Sequence, residues 1–146
     1  MPAPSHTPAF IDERNGGSWI AVVVNEYNYD VLFTAVDHCI DVPTRPDGHL
    51  SKRCDGMLTF NDTVIFVELK ERGQFGSKWI IDAEKQLKAT IAHFETTALS
   101  QEFSSKKAYA ANNEHPKSKE SYLVRMEKFL DETGYILRIE NRIILG

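Results

Sequence analysis

Two strand-like runs joined by a short polar turn constrain the fold of this chain more than any other feature of its sequence. Residues 54–60 (CDGMLTF) and 64–70 (VIFVELK) are rich in β-branched, aromatic and other apolar residues, with the polar turn NDT between them. Charged side chains are costly to bury without partners, yet Asp55, Glu68 and Lys70 lie within this apolar hairpin. The hairpin predicts a sheet, and its charges point to a functional role or to a local ion pair.

Strand-like runs also precede the hairpin. Residues 19–24 (WIAVVV) and 31–36 (VLFTAV) are β-branched and aromatic, and the polar stretch NEYNYD between them is typical of a turn. We therefore predict that these two runs pair with each other as a hairpin. Together with the next two runs they predict a meander of about four strands.

The hydrophobic period changes after the meander. From Ser77, which can act as an N-cap, apolar residues recur at helical spacing and predict a first helix. The residues of this apolar stripe are Ile80, Ala83, Leu87, Ile91, Phe94 and Ala98. The run KKAYAA that follows predicts a fifth strand.

A second helix is predicted from about residue 118 to residue 133, and Gly134 ends it. One side of this helix is apolar and carries Tyr122, Met126, Phe129 and Leu130. The last residues, YILRIENRIIL, predict one closing strand. The order of elements predicts an α/β (α+β) fold with a central mixed sheet of about 5–6 strands flanked by two main helices.

Length and composition limit the class of protein. At 146 residues the chain predicts one domain, residues 17–146, after a poorly ordered tail at residues 1–16 that is rich in Pro, Ser and Gly. The apolar fraction of 42% and the charged fraction of 26% are ordinary for a soluble globular protein. The net charge of −4 provides no global basic field, so a polyanionic partner has to be held by a local patch.

The sequence also argues against a membrane or secreted protein. No apolar stretch approaches the roughly 20 residues that span a bilayer, and the N-terminal residues lack the pattern of a secretory signal. Cys39 and Cys54 are too few for a disulfide framework or a four-cysteine zinc site. We therefore expect a cytoplasmic protein with reduced cysteines and no membrane partner.

The charges of the hairpin can gather at one place. Residues two apart in a strand point to the same face, so Glu68 and Lys70 project side by side. Asp55 joins them if it pairs with Lys70, with the turn tip at Asp62 and Thr63, or if it pairs directly with Glu68. A shift by one residue would move Asp55 to the other face unless a bulge intervened.

This cluster has two interpretations. Two carboxylates suit Mg²⁺, which prefers oxygen ligands and retains several waters, and a nearby lysine can orient a water or stabilise developing charge. Alternatively, Glu68 and Lys70 form an ordinary ion pair at a strand end, and Asp55 is a turn residue. The spacing alone leaves both open.

The pattern of Asp55 followed by Glu68-Leu69-Lys70 on the next strand resembles the PD-(D/E)xK phosphodiesterase superfamily, which has the restriction-endonuclease-like fold. The resemblance extends to the order of elements from about residue 19 to the C-terminus. It implies that Asp55 and Glu68 bind Mg²⁺ or Mn²⁺ and that Lys70 acts at the nucleophilic water. Many members add a catalytic glutamine on the following helix, and Gln86 (in DAEKQLKAT) occupies that position.

The chain departs from the superfamily pattern at two places. Cys54 stands where the motif has proline, and no clear helix with an acidic residue precedes the meander. Glu26 is the nearest upstream acidic candidate, although NEYNYD is equally typical of a solvated turn. These departures leave the upstream acidic position unassigned.

The function that the resemblance implies is hydrolysis of phosphodiester bonds by a metal-dependent nuclease acting on nucleic acid, foremost DNA, in bacterial or phage defence or DNA processing. A chain this small is expected to form a homodimer to span a duplex. The alternative is a catalytically silent nuclease-fold module, an immunity or regulatory protein that binds a protein partner. We expect basic residues to form a rim for phosphates, although the loop with Arg72 and Lys78 is equally typical of a solvated loop; the residues are Arg72, Lys78, Lys106, Lys107, Lys117 and Lys119.

Overall fold

The computed structural model of the protein describes residues 21–36, 54–70, 78–112 and 120–145. The predicted tail, Ser77 and most of the loop residues around the strand ends lie outside these ranges. The described strands are β1 (Val22–Val24), β2 (Leu32–Ala35), β3 (Gly56–Phe60), β4 (Thr63–Lys70), β5 (Ser105–Asn112), β6 (Ile136–Ile139) and β7 (Arg142–Ile144). The described helices are α1 (Lys78–Phe94), a short 3-10 helix (Ala98–Glu102) and α2 (Glu120–Thr133).

Five of these strands form a mixed sheet in the order β2-β3-β4-β5-β6. Strands β2, β3 and β4 are antiparallel neighbours, whereas β4, β5 and β6 run parallel. Parallel neighbours need a crossover connection, and α1 and α2 lie in the two connections. This five-stranded mixed sheet with two main helices confirms the predicted α/β class.

The predicted pairing of the first two strands is wrong. β1 pairs in parallel with β7 in a separate two-stranded sheet, and β2 pairs with β3. The predicted single closing strand is also wrong, because the chain bends at Glu140 and Asn141 and β7 leaves the main sheet. Both errors have one cause: the apolar pattern identifies strands, but their partners depend on which face of the sheet remains to be covered.

The main sheet has a core on each side. The larger core contains Val64 and Phe66 of β4 together with buried residues of α1 and α2. The other contains Ile65, Val67 and Leu69 of β4 together with Ile143 of β7 and the residues Ala21 and Leu145 that flank the two-stranded sheet. β4 is therefore covered on both faces, as is common for strands with parallel neighbours, and any charged residue on it has to be accommodated in a low-dielectric environment.

The helices bury the faces that their periodicity predicts, with two exceptions. Ala98, expected on the first helix, lies in the 3-10 helix beyond the end of α1 and is exposed. Ile80, Leu87 and Ile91 of α1 are buried in the larger core. In α2, Phe129 is fully buried, but Leu130 is 44% exposed and does not belong to the core face. Gly134 ends α2 with a φ of 79°, and its N–H donates to Leu130 O over 2.8 Å, which confirms the predicted helix stop.

No helix in the described part of the chain is both long and apolar enough to cross a membrane.

Candidate functional site

The β3–β4 hairpin determines where Asp55 lies. Phe60 pairs with Thr63 and Gly56 with Val67, so Asn61 and Asp62 form the turn. The expected tip at Asp62 and Thr63 is therefore wrong. The alternative register, in which Asp55 pairs directly with Glu68, has the spacing of the observed ladder, but the ladder itself stops at Gly56 and Val67.

The hairpin is irregular where Asp55 precedes β3. Asp55 N–H donates to Val67 O over 3.1 Å, although Val67 already pairs with Gly56. Two residues of one strand thus oppose one residue of the other, which is the arrangement of a β-bulge. Bulges redirect side chains, and this one lies directly at the predicted site.

The Asp55 carboxylate is held against the end of β4. Strand β3 begins only at Gly56, whereas its neighbour β4 continues past Val67, the partner of Gly56, to Lys70. Leu69 N–H of this longer strand donates to Asp55 Oδ2 over 2.6 Å. A charge-assisted hydrogen bond of this length fixes the orientation of the carboxylate, so Asp55 is part of the sheet edge rather than a solvated turn residue.

Glu68 is a buried carboxylate on the helix side of β4. It alternates with Val67 and Leu69, shares its face with Phe66, and is only 2% exposed. Its Oε2 lies 2.9 Å from Lys70 Nζ. Its Oε1 is buried and accepts no hydrogen bond from any residue in the described ranges. Oε2 is thus paired with a cation, whereas Oε1 has no donor within the described ranges. The Glu68 carboxyl also interacts with Asp55, and a hydrogen bond between the two carboxyl groups contributes to raising the pKa of Glu68.

The surroundings of Glu68 favour its neutral form. Burial raises the pKa of the Glu68 carboxyl well above its usual value, and the negative charge of Asp55 raises this pKa further. Lys70 acts in the opposite direction but does not overcome these two effects. Asp55 and Glu68 are therefore close enough for the charge of one to change the pKa of the other.

Lys70 connects the sheet to α1. Its ammonium binds Glu68 as described and also donates a hydrogen bond to Gln86 Oε1. Gln86 lies in the middle of α1, on the part of the helix that covers the end of β4. The structure therefore brings all four predicted site residues together: Asp55, Glu68, Lys70 and Gln86.

Thr90 is a positioning residue that the sequence interpretation missed. Its Oγ1 accepts a hydrogen bond from Cys54 N–H over 2.7 Å and donates one to Gln86 O over 3.0 Å. This hydroxyl links the chain just before Asp55 to the turn of α1 that carries Gln86. Nothing in the local pattern distinguishes Thr90 from an ordinary helix residue, because its partner Cys54 is far away in sequence.

Asn112 is a second residue that was missed. It pairs with Lys70 as the last step of the β4–β5 ladder, so their side chains leave the sheet on the same face. Asn112 is 5% exposed, and this buried amide beside the partly buried Lys70 belongs to the polar end of the sheet. The sequence contained a signal for Asn112. It is a polar residue at the end of a strand, and the ends of parallel strands such as β4 and β5 lie at the same side of a sheet.

Two of the residues expected in a basic rim lie elsewhere. Lys106 and Lys107 pair with Val64 and Ile65 at the beginning of β4, whereas Glu68 lies near its end. At a rise of about 3.3 Å per residue, Val64 and Ile65 lie roughly 13 Å and roughly 10 Å from Glu68 along the strand. Lys106 is also bound by both oxygens of Glu95, at 2.8 Å and 2.9 Å. A rim containing these two lysines is therefore wrong. Lys78 is exposed at the first residue of α1, and its predicted role stays a prediction. Arg72, Lys117 and Lys119 lie outside the described residues.

The turn that contains Glu26 is also remote from the site. Asn25 and Tyr29 close this turn through two hydrogen bonds, at 3.0 Å and 2.9 Å. The Tyr29 ring packs on Phe60, with 4.7 Å between the ring centroids. Phe60 ends β3 at the opposite side from Asp55, so Glu26, which is exposed, does not complete the acidic cluster.

The donor set has the chemistry of a site for a hard cation. Within the described ranges, no group of three or more His, Cys, Asp or Glu side chains could hold a metal ion. Asp55 and Glu68 supply two carboxylates, which suits an ion such as Mg²⁺ that completes its coordination with water and substrate. No family model, curated protein or solved structure matches the chain. The resemblance to the PD-(D/E)xK superfamily thus rests on the residues themselves.

Proposed function

We propose that the protein is a metal-dependent phosphodiesterase of the PD-(D/E)xK type that hydrolyses nucleic acid, foremost DNA. One observation carries the proposal: Glu68 Oε1 is buried without a hydrogen-bond donor among the described residues, beside the carboxylate of Asp55. An uncompensated buried carboxylate oxygen is costly. A divalent cation would compensate both carboxylates at once, which an ordinary ion pair with Lys70 does not do.

The architecture supports the same proposal. The motif lies on a meander that is followed by a helix and a parallel strand, the order of the restriction-endonuclease-like fold. Gln86 lies on that helix and reaches the motif lysine. Asp55 and Glu68 alone could come together by chance, but a helix glutamine that contacts the same lysine is an independent feature of the superfamily pattern.

The residues would divide the chemistry among them. Asp55 and Glu68 would hold Mg²⁺ or Mn²⁺, and the ion supplies positive charge that polarises a phosphodiester. Lys70 has three N–H donors; Glu68 and Gln86 hold the ammonium in place, and its remaining donor can orient the attacking water or a phosphate oxygen. Leu69 N–H keeps the Asp55 carboxylate turned toward the site.

Metal binding is tested by thermal unfolding with and without excess Mg²⁺ or Mn²⁺ at constant ionic strength. A ligand that binds only the folded state raises its stability by mass action, so wild-type protein is expected to melt at a higher temperature with the ion. The Glu68→Gln variant is expected to lose this increase. Superimposable wild-type melts would contradict the metal site.

Catalysis is tested on supercoiled, linear and single-stranded DNA and on RNA, with each ion in turn. Wild-type protein is expected to cleave at least one substrate, and Lys70→Met to abolish cleavage while keeping the metal-dependent increase in melting temperature. Lys128→Met, which changes a lysine that is 73% exposed, is the matched control. A wild-type protein that binds the ion but cleaves none of the substrates contradicts the catalytic proposal and leaves the protein-binding module as the alternative.

A further inference from the structure

Gly56 follows Asp55 directly and is the first residue of β3. Unlike Gly134, it does not have a positive φ, so its backbone conformation does not require glycine. The space beside it does: a Cβ at this position would lie 2.6 Å from Phe33 Cε2 and 2.9 Å from Phe33 Cζ. Carbon atoms in ordinary contact are about 3.5–4.0 Å apart. The Phe33 ring therefore occupies the place that a side chain at position 56 would take.

Neither partner in this contact can move without losing other contacts. Gly56 pairs with Ala35 of β2 and with Val67 of β4. Phe33 lies on β2, pairs with Leu58, and packs its partly buried ring against the core on the side of the two-stranded sheet. Because such cores have little spare volume, a methyl group at position 56 displaces the ring or pushes the backbone of β3 away from it.

A displacement of β3 at Gly56 reaches Asp55 through the chain. The main chain of Asp55 is bound on both sides: its N–H donates to Val67 O over 3.1 Å, and its carbonyl oxygen accepts from Val36 N–H over 3.1 Å. Its carboxylate accepts the hydrogen bond from Leu69 N–H over 2.6 Å. All three bonds depend on the position of this short segment relative to β4.

We propose that Phe33 and Gly56 are positioning residues of the site. The ring lies against the bare backbone of Gly56 and so sets the position of the bulge, which in turn holds the Asp55 carboxylate beside Glu68. The inference rests on the proposed function and deepens it, because it names two residues that shape the cation site without contacting the ion.

The first test compares two glycine-to-alanine variants of the full-length chain. Gly134→Ala is the matched control: its φ of 79° strains an alanine, but a Cβ there meets nothing within 4 Å, and Gly134 lies outside the site. Both variants are expected to melt at a lower temperature than wild type without metal. Only Gly56→Ala is expected to raise the Mg²⁺ concentration that gives half of the maximal increase in melting temperature, by about tenfold or more, as is typical when a group that orients a metal ligand is changed.

The second test follows Asp55 without metal or activity. The Leu69 amide proton donates to the Asp55 carboxylate, and a short charge-assisted hydrogen bond moves such a proton downfield in the NMR spectrum. This resonance is expected to move upfield in Gly56→Ala and to keep its wild-type position in Gly134→Ala. A control that changed in the same way would show a general loss of stability and would overturn the proposal.

Phe33→Leu provides the rescue, since leucine lacks the two ring carbons that approach Gly56 most closely. The double variant Phe33→Leu/Gly56→Ala is expected to recover the Leu69 resonance and the Mg²⁺ response of wild type. A Gly56→Ala protein with an unchanged Leu69 resonance, or a double variant no better than the single one, would overturn the proposal. A wild-type protein without a Mg²⁺ response, in which the resonance still moves and is rescued, would support the positioning of Asp55 and contradict the proposed function.

Discussion

Lys70 Nζ lies 2.9 Å from Glu68 Oε2, and Oε1 of the same buried carboxylate accepts no hydrogen bond from any described residue. The lysine therefore compensates half of the acid. Because burial and the nearby charge of Asp55 oppose ionisation of Glu68, deprotonating this carboxyl without a bound cation costs free energy. This imbalance makes the site testable through stability as well as through activity.

The stability of the metal-free protein is expected to fall with rising pH. Burial raises the pKa of Glu68 above its usual value of 4.5, so the unfolded chain releases this proton first as the pH rises. The free energy of unfolding then decreases from about pH 4.5 up to the raised pKa and levels off above it. The Glu68→Gln variant lacks the carboxyl group and should not show this decrease.

Urea unfolding of both proteins in a chelator, at a series of pH values, measures this difference. The variant is expected to gain stability relative to wild type as the pH rises. Parallel curves for the two proteins would show that Glu68 is not strained by its surroundings.

Two substitutions of Asp55 separate its structural role from its charge. Asp55→Asn keeps an oxygen that can accept from Leu69 N–H and removes the repulsion of Glu68, so its metal-free stability is expected to equal or exceed that of wild type. Asp55→Ala leaves this N–H without its acceptor and is expected to cost about 1–3 kcal/mol. Both variants should lose the stabilisation by Mg²⁺. Urea unfolding without and with Mg²⁺ measures the stability of each variant and its increase with the ion. If Asp55→Asn keeps the full stabilisation by Mg²⁺, Asp55 is not a metal ligand.

Gln86 is expected to act through Lys70. Gln86→Leu removes the oxygen that receives the Lys70 hydrogen bond, so the ammonium loses one of its two anchors. We expect kcat to fall by about 10–100-fold, the range typical for residues that orient a catalytic group, while the Mg²⁺-dependent increase in Tm persists. Gln101→Leu, on the exposed 3-10 helix, is the control. Loss of the metal effect in Gln86→Leu would place Gln86 among the metal-binding residues instead.

Thr90 is expected to stabilise the fold through its hydrogen bond with Cys54, although it takes no part in the proposed reaction. Thr90→Val preserves the shape of the side chain but leaves Cys54 N–H without its acceptor, which should cost about 1–3 kcal/mol. Thr96→Val, at an exposed position near the end of the same helix, should stay within about 0.5 kcal/mol of wild type. Equal unfolding free energies for the two variants would show that the link between β3 and α1 carries no stability.

Local pattern was sufficient to predict the parts of the fold that depend on residues close together in sequence. The 3.6-residue period of α1 identifies the side that packs on the sheet, and Gly134 ends α2 because a residue with positive φ is required there. The alternation along β4 likewise places Glu68 and Lys70 on one face. These features follow from backbone geometry, which is a local property.

Sequence alone therefore determined most of the elements, the core side of α1, and the four charged and polar residues Asp55, Glu68, Lys70 and Gln86 that the structure brings together. Tertiary structure decided which strands are partners: β1 joined β7, because the second face of the sheet had to be covered. Tertiary structure also produced the bulge at Asp55 and the hydrogen bond from Cys54 N–H to Thr90 Oγ1, and it placed Lys106 far from the site. Each of these depends on packing between segments far apart in the chain, and local propensity carries no information about which distant surface a segment will meet.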